Sequence, residues 1–227
     1  MKPNRFMLAL AALCFAAGGA SAQQTDGKSV APKTYKAYMV SDAHLDTQWN
    51  WDVQTTIREY IPRTLFQNLY LMERFPDYRF SFEGGVVYSW MKEYYPMHYE
   101  RMKKYIASGQ WHIAGASWDA NDPNMPSAES FFRNILLGQE FYKKEFGVRS
   151  TDIFLPDCFG FGYTLPTIAA HAGLIGFSTQ KLSWRKHDFF PDAPYHKKNP
   201  FSWGVWYGID GQSLMAAFDT GGYTAEL

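Results

Sequence analysis

Tyr35-Lys36-Ala37-Tyr38-Met39-Val40-Ser41-Asp42-Ala43-His44-Leu45-Asp46 is the stretch from which the fold is read. Its first half, Tyr35 to Val40, is short and apolar and predicts a β-strand. Its second half leaves that strand with polar side chains. His44 and Asp46 are two residues apart, a spacing that lets both point the same way. An imidazole nitrogen and a carboxylate oxygen make half of a zinc site. Taken alone, the same residues also describe a polar turn after a strand. Trp49 and Trp51 follow at once, and metal ligands beside indoles suggest a metal-assisted enzyme that handles sugars.

The pattern then repeats. Apolar positions Ile57, Ile61, Leu65, Leu69 and Met72 recur at helical spacing between Thr56 and Phe75, with Pro62 expected to kink or restart the helix. Tyr78 to Phe82 alternates as a second strand. Val86 to Ala107 reads as one helix ending at Gly109, and Trp111 to Ala114 as a third strand. Ser127 is a candidate N-cap for a long helix through Phe146, closed by Gly147. Ile153 to Leu155, Leu165 to Ala172 and Leu174 to Ser178 continue as strand, helix, strand. Trp203 to Tyr207 and Ser213 to Phe218 flank an Asp210-Gly211 turn, a hairpin signal. Strand, helix, strand at this spacing implies an α/β fold with a parallel sheet and right-handed crossovers.

The amino terminus predicts something other than fold. Lys2 and Arg5 precede an apolar run from Phe6 to Ala17, and Ala20-Ser21-Ala22 is a small-residue cleavage signal. Residues 1–22 are therefore expected to be a secretory signal peptide, and residues 23–34 a flexible lead-in to a catalytic region over 35–227. The run is too short for a membrane span, so the expected location is periplasmic or extracellular. Loss of Cys14 with the signal would leave Cys158 as the sole cysteine, without an intrachain disulfide. Lys plus Arg and Asp plus Glu both number 22, so the formal net charge is zero and nothing points to nucleic acid or an anionic membrane. Of the 18 Phe, 15 Tyr and 8 Trp some belong to the core, and the rings beside Gly, Asp and Asn suit the apolar faces of sugars.

Polar residues gather just after the strands: Asp42, His44 and Asp46 after the first, Glu83 after the second, Trp118, Asp119 and Asp122 after the third, Asp157 after the fourth, Gln180 and Lys181 after the fifth. Chemistry collects at the carboxyl ends of strands in such folds. Several carboxylates in one cleft repel unless a cation or proton offsets them, and a divalent metal is the economical answer. For Glu83, Asp119 and Asp122 singly, a solvated loop or cap role is at least as good a reading. In Leu155-Pro156-Asp157-Cys158-Phe159-Gly160, proline restricts the chain and glycine permits a tight turn, so Asp157 is held at a strand end. Cys158 is read as a small buried side chain rather than a thiolate ligand, because no second cysteine supports a sulfur site.

In order along the chain, these segments resemble glycoside hydrolase family 38, the α-mannosidases. His44-Leu45-Asp46-x-x-Trp49 is similar to that family's zinc signature, and Pro156-Asp157-x-Phe159-Gly160 to its nucleophile segment. Asn124 to Ser130, Thr179 to Trp184, Asn199-Pro200-Phe201 and Gly208-Ile209-Asp210-Gly211 resemble further family segments. The resemblance implies a parallel β/α barrel-like catalytic domain, incomplete at its carboxyl end. It implies that His44, Asp46 and Asp157 bind zinc, that Asp157 is also the nucleophile of a retaining mechanism, and that Trp49 lies against the sugar. Two oxygens and one nitrogen leave other divalent metals open. The implied partner is a mannose-containing oligosaccharide or glycoprotein glycan. The family's fourth ligand, a histidine, and its acid/base aspartate have no match at His171, His187, His196, Asp210 or Asp219, so a fragment inactive alone is expected. Linkage preference and oligomeric state are not encoded in these motifs. A metal-dependent polysaccharide deacetylase and a non-catalytic carbohydrate-binding protein are the alternative readings.

Overall fold

The computed structural model describes Lys36, residues 38–181 and residues 202–218. The expected signal peptide and lead-in, His187, His196, Asp219 and the Asn199-Pro200-Phe201 segment lie outside the described residues. The architecture is mixed α/β. Among the described residues seven strands form two sheets. One is all parallel, with β1 (Ser41–Ala43), β2 (Phe80–Phe82) and β3 (Trp111–Ile113) in that order. The other runs β4 (Asp152–Phe154), β5 (Gly176–Thr179), β7 (Ser213–Phe218), β6 (Trp203–Tyr207), with only β6 antiparallel. The parallel α/β character read from the sequence is present, carried by two sheets, with the expected hairpin at the edge of the second. At the junction of β3 and β4 a side chain stands in for the ladder: the Gly115 N–H donates to Asp152 Oδ2 at 3.2 Å.

The first strand is displaced from its expected position. Ser41 pairs with Phe80 and its N–H donates to Arg79 O at 3.1 Å, so pairing begins where β2 offers a partner. Tyr38, Met39 and Val40, the apolar residues that suggested the strand, are exposed. Asp42 falls inside β1 rather than after it. A one-sequence reading sees apolar character, whereas register is set by the neighbouring strand.

Pro62 acts as expected and leaves a trace. The chain runs from α1 (Val53–Thr55) through one π-turn over Thr56–Tyr60 into α2 (Ile61–Arg74), with the Ile61 N–H reaching back to Thr56 O. Proline lacks the N–H that would continue the i→i−4 ladder, and the wider turn absorbs the gap. The helix read over Val86 to Ala107 is two: α3 (Gly85–Tyr94) and α4 (Pro96–Ser108). Tyr95, with φ −131° and ψ 49°, breaks them, because the residue before a proline is pushed out of helical geometry.

Helix α5 (Ala128–Phe146) matches its sequence signals. The Ser127 hydroxyl accepts from the Ser130 N–H, and Gly147 ends the helix at φ 73°. Its buried face is Phe131, Ile135, Gly138, Gln139 and Tyr142, the i, i+4, i+7 stripe of an amphipathic helix. Each large apolar side chain on it contributes roughly 1.5–3 kcal/mol by leaving water. Phe131 and Ile135 belong to the hydrophobic cluster under the second sheet, with Ile153, Leu155 and Phe177. Tyr142 belongs to the cluster under the first, with Phe82, Tyr88 and Trp111. Helix α5 therefore spans both cores. Helix α6 (Thr164–His171) covers the second sheet and is pinned to the β6–β7 turn, where the Thr167 hydroxyl donates to Asp210 Oδ1 at 2.7 Å and His171 Nε2 lies 2.9 Å from Asp210 Oδ2. No helix among the described residues is long and apolar enough to cross a membrane.

Candidate metal centre

Three side chains far apart in sequence converge at the strand ends. One ligand atom from each of His44, Asp46 and Asp157 lies within 4.8 Å of the others. His44 and Asp46 leave β1, and Asp157 follows β4 on the Pro156 turn. His44 Nε2 is 3.3 Å from Asp46 Oδ1, so that nitrogen faces the cluster. Two carboxylates and an imidazole, all half-buried, suit a hard or borderline divalent cation.

The other ring nitrogen has a different neighbour. His44 Nδ1 lies 2.6 Å from Glu83 Oε1, at hydrogen-bond distance across 39 residues of sequence. Glu83 is 7% exposed at the end of β2. Gly84, at φ 91°, and Gly85 follow it, and the Gly85 and Val86 N–H groups donate to Ser117 O and Trp118 O. A Cβ at Gly85 would meet the Trp118 ring at 2.8 Å, so the close approach of α3 that seats Glu83 requires glycine there. Burial pulls the His44 pKa down, but the Glu83 hydrogen bond and the charges of Glu83, Asp46 and Asp157 outweigh it and lift it to about 9. Burial also raises Glu83, against the opposing pull of His44. Without a metal, this pair holds a proton to alkaline pH.

Lys181 follows β5, and its ammonium sits 2.7 Å from Asp157 Oδ1 with its side chain 7% exposed. The same ammonium lies 5.2 Å from the Phe159 ring centre. The sequence marked Lys181 by its place after a strand and within the family-like stretch from Thr179, while its approach to Asp157 is a product of tertiary structure. The cleft itself, about 290 Å³, is lined by His44, Asp46, Asn121, Asp122, Asp157 and Phe159, among others.

The remaining candidates take varied places. The Asp122 carboxylate accepts from the Asn124 N–H on the cleft wall. Asp119 accepts from the Thr47 hydroxyl at 3.3 Å, and burial raises its pKa. Asn134 on α5 clamps this loop: its Oδ1 accepts from the Asp119 N–H, and its Nδ2 donates to Asp119 O and Asn121 Oδ1. Trp118 packs edge-on against Phe141, a core role. Trp49 is 71% exposed and meets Trp51 edge-on at 5.7 Å; it stands outside the residues that line the cleft. Cys158 is half-buried and donates its S–H to Asn121 O, while burial pushes its pKa up to about 12. That is a neutral thiol, unsuited to ligation as a thiolate. His171 and Asp210 bond each other on α6 and the hairpin turn, outside the cleft lining.

Residues 34–226 match the family model described as the glycosyl hydrolases family 38 N-terminal domain. Among curated relatives, "Alpha-mannosidase G" of Dictyostelium discoideum is 37% identical over 183 residues, covering 81% of this chain and 16% of that protein. "Alpha-mannosidase 2C1" of Homo sapiens is 32% identical over 207 residues, covering 91% of this chain and 19% of that protein. Among solved structures, an α-mannosidase from Enterococcus faecalis superposes with a TM-score of 0.67 at 23% identity, over 82% of this chain and 20% of that one. A 4-alpha-glucanotransferase from Thermococcus litoralis shares the fold at TM-score 0.56 and 15% identity, over 78% of this chain and 26% of that one. The chain spans about a sixth to a fifth of the length of the curated relatives it matches. It belongs to glycosyl hydrolase family 38, within the N-terminal domain.

Proposed function

We propose that this family 38 chain supplies the metal-binding and nucleophilic part of a retaining α-mannosidase that removes α-linked mannose from oligosaccharides or glycoprotein glycans. The observation that carries the reading is the convergence of His44 Nε2, Asp46 and Asp157 at the mouth of one cleft. The matched relatives named as α-mannosidases support the substrate class.

In this mechanism Asp157 attacks the anomeric carbon. Its carboxylate oxygen forms the new C–O bond as the bond to the leaving oxygen breaks, giving a glycosyl ester; an acid/base group, which the motifs of this chain do not match, protonates the departing oxygen and later takes the proton of the attacking water. Water then attacks the same carbon and frees the carboxylate, with net retention. Lys181 positions the Asp157 carboxylate through the 2.7 Å contact. His44, Asp46 and Asp157 would hold zinc or another divalent cation, which supplies Lewis-acid coordination of two adjacent sugar hydroxyls and favours ring distortion. Trp49, exposed beyond the residues that line the cleft, would meet the apolar face of a sugar where the glycan extends past that lining. Export by the amino-terminal signal would put the activity in the periplasm or outside the cell.

The test is hydrolysis of an aryl α-mannoside by the purified protein in its natural full length. Asp157→Asn is expected to lower kcat by several orders of magnitude, with the product of the wild type released as the α-anomer. Full activity in the Asp157→Asn variant removes the nucleophile assignment. Release of acetate from an acetylated glycan, without mannose, points to a deacetylase instead. Mannose binding without turnover points to a binding protein.

A further inference from the structure

We infer that Glu83 is a positioning residue that fixes which nitrogen of His44 faces the metal. The inference rests on the metal-binding reading above and goes beyond its three ligands. An imidazole binds a cation through one unprotonated nitrogen, and the hydrogen bond made by the other decides which one that is. Here the division is drawn by the backbone. Nδ1 faces the Glu83 carboxylate at 2.6 Å, and Nε2 faces Asp46 Oδ1 at 3.3 Å on the cleft side. Glu83 is buried behind the imidazole and is absent from the cleft lining. It therefore has no route to a substrate, and neither a ligand nor an acid/base role fits it. Its carboxylate is carried on the end of β2, which is locked in register with β1 by the Ala43↔Phe82 pair one residue before each side chain. Strand pairing thus sets the distance between His44 and its partner.

The geometry has two consequences. The ring cannot flip without breaking a short hydrogen bond to a buried carboxyl group. The proton on Nδ1 is kept there, leaving Nε2 as the donor atom. Removal of such a partner typically lowers metal affinity 10–100-fold, on the order of the losses seen for other carboxylate–histidine–metal arrangements.

The experiment uses the purified full-length protein, zinc as the probe and a competing chromophoric chelator to read Kd. Four proteins are compared: wild type, Glu83→Gln, Glu83→Asp and Glu83→Ala. Glutamine keeps an acceptor oxygen at the same reach and is expected to stay within about fivefold of wild type. Aspartate keeps the charge but loses one methylene of reach, and is expected to weaken zinc with alanine, about 10–100-fold. Melting curves exclude unfolded variants, and should alanine fail to fold, the aspartate and glutamine pair carries the comparison. Histidine 15N shifts of the zinc-bound protein supply the second readout, with His44→Gln identifying the signal. Wild type and Glu83→Gln are expected to show zinc on Nε2 and the proton on Nδ1, and Glu83→Asp a mixture. Tight zinc binding by wild type, with equal affinity and an unchanged His44 signal in Glu83→Asp, overturns the inference and leaves the metal centre standing. A wild type that binds no zinc overturns both.

Discussion

Replacing Gly138 by alanine tests how α5 is seated against the site. A Cβ at position 138 would stand 2.2 Å from Ala116 O, 2.5 Å from the Ser117 carbonyl carbon and 2.7 Å from Trp118 N. These are backbone atoms, so no flexible side chain can swing away. Ordinary contact lies at 3.4 Å or more, and relief needs about 1 Å of separation between helix and loop. The loop is tied on both sides. The Tyr142 hydroxyl donates to Ser117 O at 3.0 Å, and the Trp118 N–H donates to Asn134 O at 3.0 Å. Overpacking of this kind costs roughly 1–3 kcal/mol, and the better helix propensity of alanine returns up to about 1 kcal/mol. With two anchoring hydrogen bonds strained as well, a net loss of about 2 kcal/mol is expected. For a domain of this size that lowers Tm by about 4–8 °C. The assay is thermal unfolding followed by circular dichroism, with Leu137→Ala on the exposed face of the same helix as the control. The same displacement moves Asp119, Asn121 and Asp122, so zinc affinity is expected to fall along with stability. A Gly138→Ala protein as stable as wild type would refute the reasoning.

Four further outcomes are expected. Cys158, with its pKa pushed to about 12, has on the order of a thousandth of the thiolate of an exposed cysteine at neutral pH, so iodoacetamide should label it that much more slowly in native than in denatured protein. In chelator-treated protein, His44 is raised from 6.5 to about 9, so its contribution to stability is full below pH 6.5 and is lost as pH rises through 9. Urea melts across that window should show the decline, and His44→Gln should flatten it. Zinc at about a hundred times its Kd should add roughly 2.7 kcal/mol to the chelated protein, read as a rise in Tm that a chelator reverses. Ser127→Ala, which removes the oxygen that accepts from the Ser130 N–H, should cost about 1 kcal/mol and leave zinc affinity unchanged.

Local chemistry made parts of this molecule legible. The Ser127 cap, the Gly147 stop and the Asp210-Gly211 hairpin depend on residues within a few positions of one another, and all three sit where they were read. The break at Tyr95 was also a local signal, since Pro96 dictates it, but the aromatic stripe through both helices masked it. Features of longer range were not legible. Nothing near Tyr38 shows that pairing waits until Ser41, because Phe80 sets the register. Nothing near Glu83 names His44 as its partner 39 residues away. The same holds for Lys181 and Asp157, which meet only because β4 and β5 are parallel neighbours.

The gap in the ladder between β3 and β4 has a mechanical meaning. His44, Asp46 and Glu83 ride on one sheet, whereas Asp157 and Lys181 ride on the other. The cleft therefore straddles a seam bridged by the Asp152 side chain and spanned by α5. A shift of one sheet against the other would change the spacing between His44 and Asp157 while leaving the described pairings within each sheet intact. A cation held by His44, Asp46 and Asp157 would act as a rivet, tying two plates together across their seam.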